Sequence, residues 1–201
     1  MPKAASGYGR SMNRHPWRRL VAWLIDWMCV LAWCAIVAAV GIPLYLAGVT
    51  RDIDEVALNV VAAITVVVPA TLGLAALEAG RLHGTLGKRA LGIRVIGVPA
   101  RNTAGGAGAG EFAAGAPFGA AVLRNALKIA LPWIIGHAAV IALVSTSTGG
   151  TTSGSAPAWV WVLTLAAYVL PIVYVVALFV RRGRTPYDAA SRTAVVRAFG
   201  S

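Results

Sequence analysis

Four long apolar stretches constrain this chain more than any other feature. The first runs from about Leu20 to Leu46, roughly 40 Å as a helix at 1.5 Å per residue, against a hydrocarbon core about 30 Å thick. The second, over about 56–78, spans roughly 33 Å, with Pro69 as a candidate kink. The third, over about 120–145, carries Arg124 and Lys128 in its first turns. That leaves about 16 uncharged residues, near the lower limit of about 17 for a crossing. The fourth, over about 158–180, contains Pro171 and stops at Arg181 and Arg182. A 58% hydrophobic content, against about 45–50% for an ordinary soluble domain, agrees that the solvent is lipid. The fold class predicted is an all-α membrane protein with four transmembrane helices.

Charge sets the expected orientation. Lys and Arg outnumber Asp and Glu by 18 to 7. Lys3, Arg10, Arg14, Arg18 and Arg19 precede the first helix. Arg81, Lys88, Arg89, Arg94 and Arg101, with Arg124 and Lys128 at the membrane edge, fall between helices two and three. Arg181, Arg182, Arg184, Arg192 and Arg197 follow helix four. The opposite side receives only Arg51, beside Asp52, Asp54 and Glu55. Cations gather in cytoplasmic loops, so both termini are expected inside a bacterial-type inner membrane. A nucleic-acid binder would instead need a polar basic domain, and no such region stands out. The length of the first run and the interrupting Asp26 argue against a cleavable signal peptide.

Around these spans, residues 1–16 read as a disordered tail and 198–201 as a short one. About 99–117, rich in Gly and Ala, reads as a flexible loop. No internal repeat is evident. The Gly84–Arg89 tract departs from a phosphate loop, with Leu82 at the first glycine position and Arg89 after the lysine. Leu82, Leu86, Ala90 and Ile93 share one helical face, which predicts an interfacial amphipathic segment whose Arg81, Lys88, Arg89 and Arg94 hold it to anionic lipid. Arg94–Val98 predicts a short strand.

Asp26 is the residue most in need of a partner. It lies about 10 Å inside the hydrocarbon if Arg19 marks the interface, where a bare carboxylate is costly. Arg19 shares its helical stripe, but side chains lean toward the helix N-terminus, so Arg19 points away. Arg124 and Lys128 descend from the same side and are the expected partners, with Asn125 beside them. Cys29 and Cys34 project to different faces of one helix, and His137 reads as a hydrogen-bonded core residue. No nucleophile, base and orienter assemble, no ligand set for a metal stands out, and no cofactor is called for.

Four stretches carry a family resemblance. Arg19-Leu20-Val21-Ala22-Trp23-Leu24-Ile25-Asp26 resembles the opening of the RDD family, and Gly84-Thr85-Leu86-Gly87-Lys88-Arg89 with Gly92-Ile93-Arg94-Val95 resembles its GxTLGK and GIRV tract. Leu123-Arg124-Asn125 resembles the start of its next helix, and Asp188 with Arg192–Val196 its closing segment. The resemblance spans about residues 17–197 and implies a polytopic membrane domain whose name-giving Arg and two Asp are Arg19, Asp26 and Asp188. The long Gly/Ala insertion after Val98 departs from it.

Two function classes follow. Arg19, Asp26, Arg124, Lys128 and Asp188 could form a charge-paired cytoplasmic clasp in a structural or regulatory subunit, because a carboxylate locked to a cation stays ionised. Alternatively, as transport ascribed to the family implies, Asp26 serves a small cation/proton antiporter with proline-broken helices. The bilayer and its anionic lipids are the expected partners, and a homodimer or larger membrane complex is compatible with either class.

Overall fold

The computed structural model describes residues 15–98, 115–148, 156–180 and 184–198. Helix α1 (Pro16–Leu46) is followed by α2 (Glu55–Ala79), the short α3 (Leu86–Ala90) and strand β1 (Ile93–Gly97). Then come α4 (Phe118–Asn125), a π turn over Ala126–Ala130 that continues into α5 (Leu131–Thr148), α6 (Ala158–Phe179), α7 (Pro186–Ala190) and β2 (Thr193–Arg197). Among the described residues, four helical stretches are long and apolar enough to cross a membrane: Pro16–Leu46, Val56–Ala79, Phe118–Val144 and Ala158–Phe179.

Local chemistry sets the ends. Pro16 opens α1 where a missing N–H costs nothing, so this helix starts before the expected Leu20. Asp54 caps α2 by accepting the Ala57 N–H at 3.0 Å, and Gly80 ends it. The third span gains two residues at its start, and Arg124 in α4 and Lys128 in the π turn are both buried in the protein, so these cations do not shorten it. Large side chains such as Ile36, Val61, Trp161 and Leu165 face outward, as a lipid solvent requires.

The protein is inverted at one end. There α3, α7, β1 and β2 cover the starts of α1 and α4 and the ends of α2 and α6, and buried charges replace the usual apolar filling. Small apolar clusters flank them: Ala22 with Ile93 and Val195, and Val30 with Leu74 and Ile129. Strands β1 and β2 pair antiparallel, with Ile93 opposite Arg197, Val95 opposite Val195 and Gly97 opposite Thr193.

This pairing exposes a repeat that the sequence hides. Residues 85–97 and 185–197 follow the same course: a Thr at the helix N-cap position, a five-residue helix, a left-handed residue and a five-residue strand. The left-handed position is Gly92 (φ 64°) in one copy and Arg192 (φ 50°) in the other. Each copy follows a membrane span, and the equivalent Val95 and Val195 face each other across a local pseudo-twofold axis. Only Thr, Ala and Val coincide between the copies, at 85/185, 90/190 and 95/195, which is why the repeat escapes notice in the sequence.

Two expectations are corrected. The amphipathic helix over Leu82–Ile93 does not form: only Leu86–Ala90 is helical, Leu82 and Leu86 are exposed, and Ile93 begins a strand. The turn at Gly84 and Thr85 and the left-handed Gly92 confine the helix on both sides. The expected strand does form, one residue earlier than predicted, and its partner β2 was not anticipated. The tail over 1–14 and most of the Gly/Ala loop fall outside the described residues.

Candidate functional site

The site begins with α1, whose Arg19 and Asp26 lie two turns apart and are both buried. Arg19 Nη2 donates to Asp188 Oδ2, at the start of α7. The other oxygen of Asp188 lies 2.8 Å from Arg124 Nη2, in α4. Arg124 Nη1 reaches 3.3 Å to Glu78 Oε2, at the end of α2. Asn125 Nδ2 donates to the same oxygen at 3.1 Å, and Lys88 Nζ pairs with Glu78 Oε1. One continuous chain of charges thus links α1, α7, α4, α2 and α3.

Asp26 forms a second node. Its Oδ2 accepts from Lys128 Nζ at 3.1 Å and from the Thr85 hydroxyl at 2.9 Å, while Oδ1 accepts the Gly87 N–H at 3.2 Å. The approach of α3 to α1 requires glycine at 87, because a Cβ there would collide with the Ala22 carbonyl. Tyr174 of α6 donates to the Leu127 carbonyl at 2.8 Å, inside the π turn, and stacks edge-on against Tyr187. The Tyr187 ring lies 5.6 Å from the Arg124 guanidinium. The fourth span thereby joins the cluster without contributing a charge.

Electrostatics differ between the two peripheral charges. Burial alone would raise the Asp188 carboxyl, but Arg124 and then Arg19 outweigh it and hold it down at about 2. For Lys88, burial and the neighbouring Arg124 both disfavour the ammonium and outweigh Glu78, bringing it down to about 7.

Of the predicted site residues, Arg19, Asp26, Arg124, Lys128 and Asp188 come together. Asp26 pairs with Lys128 as expected, whereas Arg124, the other candidate, turns to Glu78 and Asp188. The surface reading of Lys88 is corrected: it is 5% exposed and faces inward, because the short α3 packs against α1. Arg81 and Arg89 are exposed as expected, and Arg94 is half-buried on β1. Sequence reasoning missed Glu78, which is wholly buried, and Thr85. For Glu78 the available signal was an acid at the same span end as Lys88 and Arg124. His137 lies 3.2 Å from the Asn59 carbonyl, a polar link between α2 and α5.

The family model described as RDD family matches residues 14–107, which takes in α1, α2, α3 and β1 and holds Arg19, Asp26, Glu78 and Lys88. No curated protein and no solved structure matches the chain. The motifs that carry the resemblance beyond residue 107, at Arg124, Asn125 and Asp188, converge on the same buried cluster as Arg19. Over residues 14–107 the chain thus matches the RDD family of membrane proteins, and among the described residues four candidate spans are arranged around that cluster.

Proposed function

We propose that this chain is a structural or regulatory subunit of a bacterial-type inner membrane, in which the charge cluster clasps the four spans at their cytoplasmic end. One observation carries the reading: each buried carboxylate among the described residues is already engaged by a cation. Asp26 has Lys128, Glu78 has Lys88 and Arg124, and Asp188 has Arg19 and Arg124. Removing one partner from a buried pair costs about 3–5 kcal/mol, so such a network resists the cycles of charging and discharging that proton coupling needs. The exposed Arg81, Arg89 and Arg184 can meet anionic headgroups, each worth about 1 kcal/mol near such a surface.

A small cation/proton antiporter is the second reading. Asp26 favours it, because this acid is held by one cation where the other two acids each have two. Pro69 and Pro171, inside α2 and α6, give these helices places to bend. Proteoliposome flux with Asp26→Asn separates the two. Lost expression of the variant with no flux from the wild type supports the clasp. A wild-type cation or proton flux that Asp26→Asn abolishes while still folding refutes it. Labelling of engineered thiols in the 81–117 connection tests the cytoplasmic placement.

A further inference from the structure

The buried cluster is not electrically balanced. Arg19, Lys88, Arg124 and Lys128 oppose Asp26, Glu78 and Asp188, which leaves one positive charge without a buried counter-charge among the described residues. A cavity of about 10 Å³ opens among these groups, lined by Arg19, Asp26, Lys88, Arg124, Lys128 and Tyr187. Arg124, 2% exposed, spends both terminal nitrogens on Glu78 and Asp188, yet its buried Nε–H has no hydrogen-bond acceptor among the described residues. An unpaired guanidinium donor, a small hole and a surplus cation coincide at one place.

We propose that this cavity is a binding site for a single small monoatomic anion of chloride size, held by Arg124 and the surrounding cations. Its volume has room for about one water-sized particle, which favours a monoatomic anion over sulfate and organic anions. Asp26 lines the cavity without opposing the anion strongly, because both its oxygens are occupied by Lys128, Thr85 and Gly87. A buried charge must be compensated or neutralised. The protein thus has two ways of settling the surplus, and they exclude each other: an anion enters, or a lysine gives up its proton. Lys88 is the group that can do so, facing Glu78 from α2, Asp26 from α1, and Arg124 and Lys128 from the third span. Anion binding is therefore linked to retention of a proton on Lys88. The inference rests on the clasp reading, in which these ion pairs stay closed.

The test uses the purified full chain in mild detergent. Its thermal midpoint is measured in sodium chloride, sodium gluconate and sodium sulfate at matched ionic strength, at pH 6 and pH 9.5. Expected is a saturable rise with chloride alone, whose half-saturating concentration increases at least tenfold from pH 6 to pH 9.5. Equal midpoints in all three salts overturn the proposal and leave water as the occupant. A rise common to all salts overturns it as well, as plain screening. Lys88→Met removes the surplus charge and is expected to abolish the chloride response, and a folded variant that keeps the response also overturns the site. Should that variant not fold, the wild-type comparison at the two pH values decides. A chloride response that persists while Asp26→Asn reveals transport would sink the clasp reading and leave the anion site standing.

Discussion

Glu78→Gln is the perturbation that probes the cluster at its centre. Glu78 is 0% exposed and accepts from Lys88, from Arg124 at 3.3 Å and from Asn125 at 3.1 Å. The substitution keeps shape and removes the charge, so Lys88 and half of Arg124 lose their counter-ion, and the buried surplus grows from one positive charge to two. Breaking a buried pair from one side costs about 3–5 kcal/mol, roughly a hundred-fold to a few-thousand-fold in the ratio of folded to unfolded protein. Unfolding by SDS titration in mixed micelles measures it, with Glu78→Gln, Lys88→Gln and the double variant completing a cycle. The double variant returns the surplus to one and is expected to recover at least 1 kcal/mol relative to the sum of the single changes. A single-variant cost under about 0.5 kcal/mol, or additivity within that margin, would show that Glu78 and Lys88 do not act as a buried pair.

The same titration followed against pH reads Asp188 and Lys88. Asp188 is held at about 2 against an ordinary 3.8, so its contribution of about 2 kcal/mol is complete above pH 3.8 and lost as pH falls through 2. Asp188→Asn should flatten that limb. Lys88 has the opposite sense: between its folded value of about 7 and the ordinary 10.5 the unfolded chain binds more protons, so stability should rise with pH across that window. Lys88→Gln should remove the rise. Gly87→Ala forces its Cβ into the Ala22 carbonyl and parts α3 from Asp26, for an expected loss of about 1–3 kcal/mol in the same assay. Arg192→Gly relieves a left-handed backbone at φ 50° and is expected to gain about 0.5–1 kcal/mol, the outcome opposite to most substitutions.

The spans were legible because hydrophobic length is a one-dimensional property, read without knowing any neighbour. Asp26 and Lys128 were legible for a related reason: both sit inside apolar runs on helices entering from the same side, so each needs a partner at that depth. Glu78 was not, since an acid closing an apolar run looks the same whether it meets water or Arg124. Lys88 reads as a surface cation until Gly87 brings α3 onto Ala22, a contact sixty-odd residues apart in the chain. Strand β2 is five residues long and owes its existence to β1, so neither periodicity nor composition marks it.

The hidden repeat places charges of opposite sign at equivalent positions of the clasp. In the second copy Thr185 and Asp188 form a capping box, each side chain serving the other's backbone. The first copy has Lys88 where that box needs an acid, and its helix start is served from outside, by Asp26 of α1 on Thr85 and the Gly87 N–H. Lys88 is thereby released to reach Glu78, while Asp188 caps its own helix and still bridges Arg19 and Arg124. Two lysines at these positions would leave five buried cations against two carboxylates, and two aspartates would leave three against four. Divergence at this one pair of sites leaves the cluster with one surplus positive charge, where two lysines would leave three and two aspartates one negative, and the strand pairing that faces Val95 with Val195 holds the unlike halves together.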